Sequence, residues 1–122
     1  MATAQPTPEG LLISLDGWEK FGTFQRSFTV DWSHIDRAEA SKDLWPQVRG
    51  WRAPGIGIPH VILLGRMRFH GGRDFCAIYK DKPGIILEVH DEPYQRLLLS
   101  IPPDQARRIV QIVTTGQVPT SP

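Results

Sequence analysis

Residues 44–79, LWPQVRGWRAPGIGIPHVILLGRMRFHGGRDFCAIY, decide the fold of this chain. Apolar and polar side chains alternate over residues 60–70, and a period of two is typical of a strand with one buried face. Gly71 and Gly72 follow and favour a tight turn into a second strand over residues 73–79. The stretch therefore predicts a β-hairpin.

A two-residue turn at Gly71 and Gly72 also predicts which residues lie opposite each other. It places Arg68 opposite Phe75 and Arg66 opposite Ala77, close enough for Arg68 to stack on the Phe75 ring. We expect an outer face made of Arg66, Arg68, His70, Arg73, Phe75 and Tyr79. We expect an inner face made of Met67, Phe69, Cys76 and Ile78.

Residues 45–59 precede the hairpin and are rich in proline and glycine, which argues against regular structure through most of them. A loop of this length in a compact domain is usually functional or disordered. Trp45 and Trp51 favour an ordered, functional loop, because disordered loops rarely carry such large apolar side chains.

The rest of the chain predicts five more strands and one helix. The strands fall at residues 11–15, 27–32, 35–42, 85–90 and 94–101. Ala38 and Ala40 on the third of these indicate that something bulky packs above it. The spacing of Trp18, Phe21 and Phe24 is compatible with a single helical turn.

The helix is predicted between Pro103, which suits a first helical position, and Gly116, which suits a helix stop. Its apolar face is marked by an i, i+3, i+4, i+7 pattern. The residues of that pattern are Ala106, Ile109, Val110 and Val113.

Length and composition indicate one globular domain. The 122 residues are 40% hydrophobic and 22% charged, and no apolar run is long enough to span a bilayer. The net charge of +1 means that any attraction to an anionic partner must be local. The single cysteine, Cys76, excludes an internal disulfide and suits the cytoplasm. We expect a disordered lead-in over residues 1–10, a domain over 11–116 and a frayed tail over 117–122.

Seven short strands followed by a helix match the element order of a pleckstrin-homology-like (PH-like) barrel, although OB-type and lipocalin-like barrels also use short antiparallel strands. A second indication comes from the motif residues Trp45-Pro46, Gly50, Arg52-Ala53-Pro54-Gly55, Ile58-Pro59, Gly65, Arg68, Gly71-Gly72-Arg73, Phe75 and Tyr94. In these residues the sequence resembles a family of largely uncharacterised bacterial PH-like proteins. The resemblance implies two orthogonal antiparallel sheets of about seven strands, capped by a C-terminal helix, and it implies no catalytic or ligand residues.

Positive charge is concentrated in the central stretch, because five arginines and no acidic residue lie between Leu44 and Arg73. This charge and the tryptophan loop mark one candidate binding surface. Its members are Trp45, Arg49, Trp51, Arg52, Arg66, Arg68, Arg73 and Phe75. We expect contact with a protein partner or a second copy, with anionic lipid headgroups at a membrane surface as the alternative.

Other functions find less support in the sequence. The four histidines lie in no metal-ligand spacing, and the serines lie in no nucleophile elbow. The glycine pairs open no phosphate-binding helix, so we expect no metal, cofactor or catalytic residue. Low basicity disfavours nucleic acid. A small enzyme with a pocket under residues 44–59 is the remaining alternative.

Overall fold

The structure, a computed structural model, describes residues 3–15, 27–48, 51–58, 62–69, 71–80 and 82–118. The side chains of residues 51–58, 66, 68 and 69 lie outside that description. Short 3-10 helices lie at Trp32–His34 and Trp45–Gln47. Within the described residues the chain also forms nine strands and one α-helix. These are β1 (Thr3–Pro6), β2 (Gly10–Ser14), β3 (Phe28–Asp31), β4 (Ile35–Ser41), β5 (Trp51–Ile58), β6 (Ile62–Phe69), β7 (Gly72–Tyr79), β8 (Gly84–Val89), β9 (Arg96–Ser100) and α1 (Pro103–Thr115).

The strands form two sheets. β1, β2 and β3 make an antiparallel three-stranded sheet, and the other strands make a six-stranded sheet in the order β4-β8-β9-β7-β6-β5. β9 lies between β8 and β7 and runs parallel to β7. The prediction of a mainly β domain with two sheets and a C-terminal helix is confirmed. The prediction of about seven strands, all antiparallel, is wrong, and no described strand pairs across the two sheets to close a barrel.

The larger hydrophobic cluster lies on one face of the six-stranded sheet. The three-stranded sheet and α1 cover this face, and Phe75, Leu97 and Leu99 are fully buried in it. The three-stranded sheet contributes Leu11 and Val30. This cluster is the main core of the described domain.

A second hydrophobic cluster lies on the opposite face of the same sheet. Cys76, Ile78 and Leu98 are buried there beneath Leu44, with Trp45 packed alongside. A sheet covered on both faces requires strands that are apolar on both sides. The run Phe75–Ile78 in β7 and the run Leu97–Leu99 in β9 satisfy that requirement, since all of their residues are buried.

The prediction of an irregular loop over residues 45–59 is wrong for most of that stretch. Trp45–Gln47 is a short 3-10 helix, and Trp51–Ile58 is strand β5 at one edge of the six-stranded sheet. The pairing with β6 shifts register between Arg52 and Gly55, around Pro54. An edge strand with a bulge tolerates proline and glycine, and this explains why the composition was misleading.

The N-terminal residues also differ from expectation. Residues 3–6 form β1 rather than part of a disordered lead-in, and they pair with Leu11–Ser14 of β2. Ala4 is fully buried in the main core. The proposed helical turn at Trp18, Phe21 and Phe24 lies outside the described residues.

The C-terminal helix agrees with its sequence pattern. It begins at Pro103, and the backbone N–H of Gly116, at φ 73°, donates to the Ile112 carbonyl. Ala106 and Ile109 are buried in the main core, and Val110 and Val113 pack against it. The helix packs mainly on β4, so it is the bulky element indicated by Ala38.

The Leu44→Ala variant should lose about 2–5 kcal/mol of unfolding free energy, because it removes a fully buried side chain from the second cluster. Urea denaturation measures the loss. The exposed neighbour Lys42 gives the control, since Lys42→Ala should change stability by about 0.5 kcal/mol or less. Equal stabilities for the two variants would show that residue 44 does not seal this face.

Candidate functional site

The β6–β7 hairpin brings arginines together in a register that differs from the predicted one. Arg68 lies opposite Arg73, and Arg66 lies opposite Phe75. Phe69 pairs with Gly72, so the connection consists of residues 70–71 rather than 71–72. Gly71 is the residue that requires glycine there, because its φ of +100° is unfavourable for residues with a Cβ. The predicted pairing of Arg68 with Phe75 is therefore wrong by two residues.

The register extends to a third strand. Trp51 of β5 is the cross-strand partner of Arg68, which is itself the partner of Arg73. We call these three positions the arginine row. The fold thus aligns three of the predicted binding residues at the end of the sheet where β7 begins.

Phe75 is not a surface residue. It is fully buried, and its ring centroid lies 5.4 Å from that of Phe28 and 5.3 Å from that of Tyr94. The face that the alternation predicted to be exposed is instead covered by the three-stranded sheet. Arg73, two residues before Phe75 on the same face of β7, is only half-buried. The candidate surface therefore loses Phe75 and keeps Arg73.

Trp45 also lies away from the arginine row. Its indole Nε1 donates a hydrogen bond of 2.6 Å to the Lys80 carbonyl oxygen, just beyond the far end of β7. Lys80 follows Arg73 by seven residues along extended chain, which corresponds to about 23 Å. The half-buried Trp45 side chain packs on the second cluster, so its role is to hold the 3-10 helix against the sheet.

The structure gives only backbone positions for two of the three remaining candidate binding residues. Arg49 lies outside the described residues. Arg52 is in β5 opposite Met67, and Arg66 is in β6. Their backbones lie beside the arginine row, and their side chains belong to the part of the chain that the structure does not describe.

A buried ion pair links the two parallel strands, and the sequence pattern did not reveal it. The Asp74 carboxylate, 1% exposed, accepts hydrogen bonds from Arg96 Nε and Nη2 at 3.1 and 2.8 Å. Arg96 Nη2 also donates to the Gln47 carbonyl oxygen at 2.6 Å. The two charges are 22 residues apart in sequence and meet because β7 and β9 are neighbours. The pair therefore fastens the 3-10 helix at Trp45–Gln47 to the sheet.

Two histidines lie together at the start of β4 and the end of β8. The ring centroids of His34 and His90 are 5.6 Å apart. His34 Nδ1 lies 3.0 Å from Glu92 Oε1, and His90 Nδ1 lies 2.8 Å from Asp36 Oδ1. Within the described residues no group of three or more histidine, cysteine or acidic side chains has a geometry that could hold a metal ion.

Hydrogen bonds set the protonation behaviour of this region. The hydrogen bond to Glu92 raises the pKa of His34 above its ordinary value, and the nearby carboxylates of Asp31 and Asp91 act in the same direction. The backbone N–H and the hydroxyl of Ser33 lower the pKa of Asp31. Sequence spacing could not reveal this cluster, because the two histidines are distant in the chain.

Two residues with potentially nucleophilic side chains, Cys76 and Ser100, are buried in the described part of the chain. Burial raises the pKa of the Cys76 thiol far above its ordinary range, so the thiolate is not formed at neutral pH. The Ser100 side chain is fully buried and its oxygen accepts the Tyr79 backbone N–H at 3.0 Å. Both residues serve packing and backbone pairing.

No protein-family model, curated protein or solved structure matches this chain. Among the described residues no helix is both long and apolar enough to cross a membrane.

Removing one partner of the buried ion pair should be costly. We expect Asp74→Asn to lower the unfolding free energy by about 3 kcal/mol, since it leaves the Arg96 guanidinium, 14% exposed, without its counter-charge. Chemical denaturation measures the change. The double variant Asp74→Leu/Arg96→Met should recover part of it, because an apolar pair leaves no buried charge. A double variant less stable than Asp74→Asn would contradict this account.

The His34–Glu92 pair should make stability depend on pH. A folded-state pKa above the unfolded one stabilises the fold at pH values below the ordinary histidine pKa of about 6.5, and this contribution disappears as pH rises through the folded pKa. NMR titration of His34 should show the raised pKa, and Glu92→Gln should return it toward the ordinary value. Glu39→Gln, at an exposed carboxylate on another part of β4, should leave the titration unchanged.

Proposed function

We propose that the protein is a non-enzymatic binding module that holds an acidic segment of a partner protein along the arginine row. The observation that carries this proposal is the direct opposition of Arg68 and Arg73 across the hairpin. Like charges in directly opposite strand positions destabilise a sheet. A partner carboxylate removes that repulsion and forms charge-assisted hydrogen bonds with the guanidinium groups.

The surroundings of Arg73 support an external counter-charge. Arg73 makes no ion pair with an acidic residue in the described part of the chain, whereas Asp74 beside it is paired with Arg96. The next position in the row is Trp51, and tryptophan and arginine are both enriched at protein interfaces. A row of two arginines and one tryptophan is therefore better suited to binding the surface of a partner protein than to binding a small molecule in a pocket.

Burial of the potential nucleophiles supports a binding function over an enzymatic one. Cys76 and Ser100 are fully enclosed, and neither lines the depressions beside Arg96 in the described surface. The proposal includes a PH-like fold for this module. The two sheets and the C-terminal helix favour it, while the parallel pair of β7 and β9 departs from the antiparallel order that the resemblance implies. A cytoplasmic location, with or without membrane contact, stays a prediction from composition.

Binding of poly-L-glutamate at low salt tests the proposal by calorimetry. The wild-type chain should bind it, and the Arg68→Glu/Arg73→Glu variant should bind at least about tenfold more weakly, since each lost charge-assisted hydrogen bond is worth roughly 1.5–3 kcal/mol. Arg108→Glu is the matched control, because Arg108 is an exposed arginine on α1. This control should retain wild-type affinity.

Vesicles of phosphatidylcholine with phosphatidylserine provide the second arm. Sedimentation with these vesicles, without binding to poly-L-glutamate, would overturn the protein-partner proposal in favour of lipid headgroups. If the Arg108→Glu control lost as much affinity for poly-L-glutamate as the double variant, the binding would be non-specific charge attraction. That result would also overturn the protein-partner proposal. Wild-type protein that binds neither probe would remove the arginine row as a binding surface.

A further inference from the structure

The edge strand β4 carries an alternating pattern that is complementary to itself. β4 ends the six-stranded sheet on the side opposite β5, and no strand in the described part of the chain pairs with its outer edge. Its exposed Arg37 and Glu39 stand on either side of Ala38. An edge strand presents unpaired backbone N–H and C=O groups that can pair with another strand.

The two edges of this sheet differ in how they receive another strand. β5 contains Pro54 and an interruption of its register, and both features obstruct edge-to-edge pairing. β4 contains no proline, and its one register shift lies at its start, between Ile35 and Arg37, so its pairing with β8 is regular over the stretch from Arg37 to Ser41 that would face the second copy. β4 is therefore the edge that is able to accept a strand.

We propose that β4 pairs antiparallel with β4 of a second copy, which joins the two six-stranded sheets across a two-fold axis at Ala38. In this register Arg37 of each copy lies opposite Glu39 of the other, and Ala38 lies opposite itself. Such reciprocity is what a two-fold interface requires, since residue i contacts j and j contacts i. This inference rests on β4 and not on the arginine row, so it stands apart from the proposed function.

Charge selects this register over its neighbours. A neighbouring register that keeps every residue on its own face of the sheet differs from this one by two residues. A shift of two residues in one direction places Arg37 opposite Arg37 of the second copy. The same shift in the other direction places Glu39 opposite Glu39. Opposite charges in facing positions stabilise a strand pair, and like charges destabilise it. Only the Ala38-centred register pairs both charges favourably.

The helix flank adds an apolar contribution on the other face of β4. Ala40 and Val110 help to line a groove of about 360 Å³ between β4 and α1, and Arg107 also borders it. In the proposed register the second copy lies beside Ala40 and therefore covers part of this apolar groove.

The charges are available for such a contact. The side chains of Arg37 and Glu39 are 67% and 58% exposed. Arg37 lies 3.5 Å from Glu39 Oε2 and 3.9 Å from Glu88 Oε2, and both distances mark surface ion pairs. Exposed pairs of this kind contribute little to folding. Reversing either charge should therefore alter association without unfolding the monomer.

Sedimentation over a range of protein concentrations provides the test. Wild-type protein should form dimers, and Arg37→Glu or Glu39→Arg alone should weaken self-association by about thirtyfold, because two symmetry-related pairs become repulsive. An equimolar mixture of the two single variants should dimerise again, since the two acidic positions of one variant then face the two basic positions of the other. The double variant Arg37→Glu/Glu39→Arg should also dimerise.

Circular dichroism should show that every variant is folded, and Glu9→Arg, an exposed charge reversal in the connection between β1 and β2, should dimerise like wild type. Wild-type protein that remains monomeric at all concentrations would overturn the proposal. It would also be overturned if both single variants dimerised normally, or if their mixture stayed monomeric. These outcomes are independent of poly-L-glutamate binding, so failure here leaves the proposed function to its own test.

Discussion

Burial of the central strands β7 and β9 on both faces is the constraint on which the rest of the structure depends. Strands that are apolar on both sides need two covers. The three-stranded sheet and α1 supply one cover, and the segment around Leu44 supplies the other. The Asp74–Arg96 pair joins these two strands and also fastens the second cover through Gln47, so one polar contact couples strand pairing to loop position.

This arrangement limits which parts of the six-stranded sheet can contact other molecules. In the described part of the chain both faces of this sheet are covered near its centre, so its ends and edges remain for contact. The arginine row lies at one end, and the edge strand β4 lies along one side. These two surfaces differ in chemistry, because the first carries charge of one sign and the second pairs opposite charges. The proposed binding of an acidic segment and the proposed self-association therefore concern separate surfaces of one domain.

Sequence reasoning was most successful where local pattern and burial agree. Alternation located β4, β6, β7 and β8, and the spacing of apolar residues with Pro103 and Gly116 located the helix. It failed at β5, because proline and glycine signal a loop unless the strand lies at an edge with a bulge. It also misjudged Phe75, since alternation separates two faces without showing whether one or both are covered. Of the predicted site, Trp51, Arg68 and Arg73 form one row, whereas Phe75 is in the core and Trp45 lies at the other end of β7.

The sequence by itself determined the mainly β composition, the C-terminal helix and the concentration of arginine in the central third, because these depend on residues close together in the chain. Tertiary structure alone decided that β9 inserts between β8 and β7, and hence that Asp74 meets Arg96. It also decided that β4 pairs with β8, which places His34 beside His90. It also decided the hairpin register that sets Arg68 against Arg73. Contacts of this kind depend on strand order and register, and neither is encoded in a local pattern of apolar and polar residues.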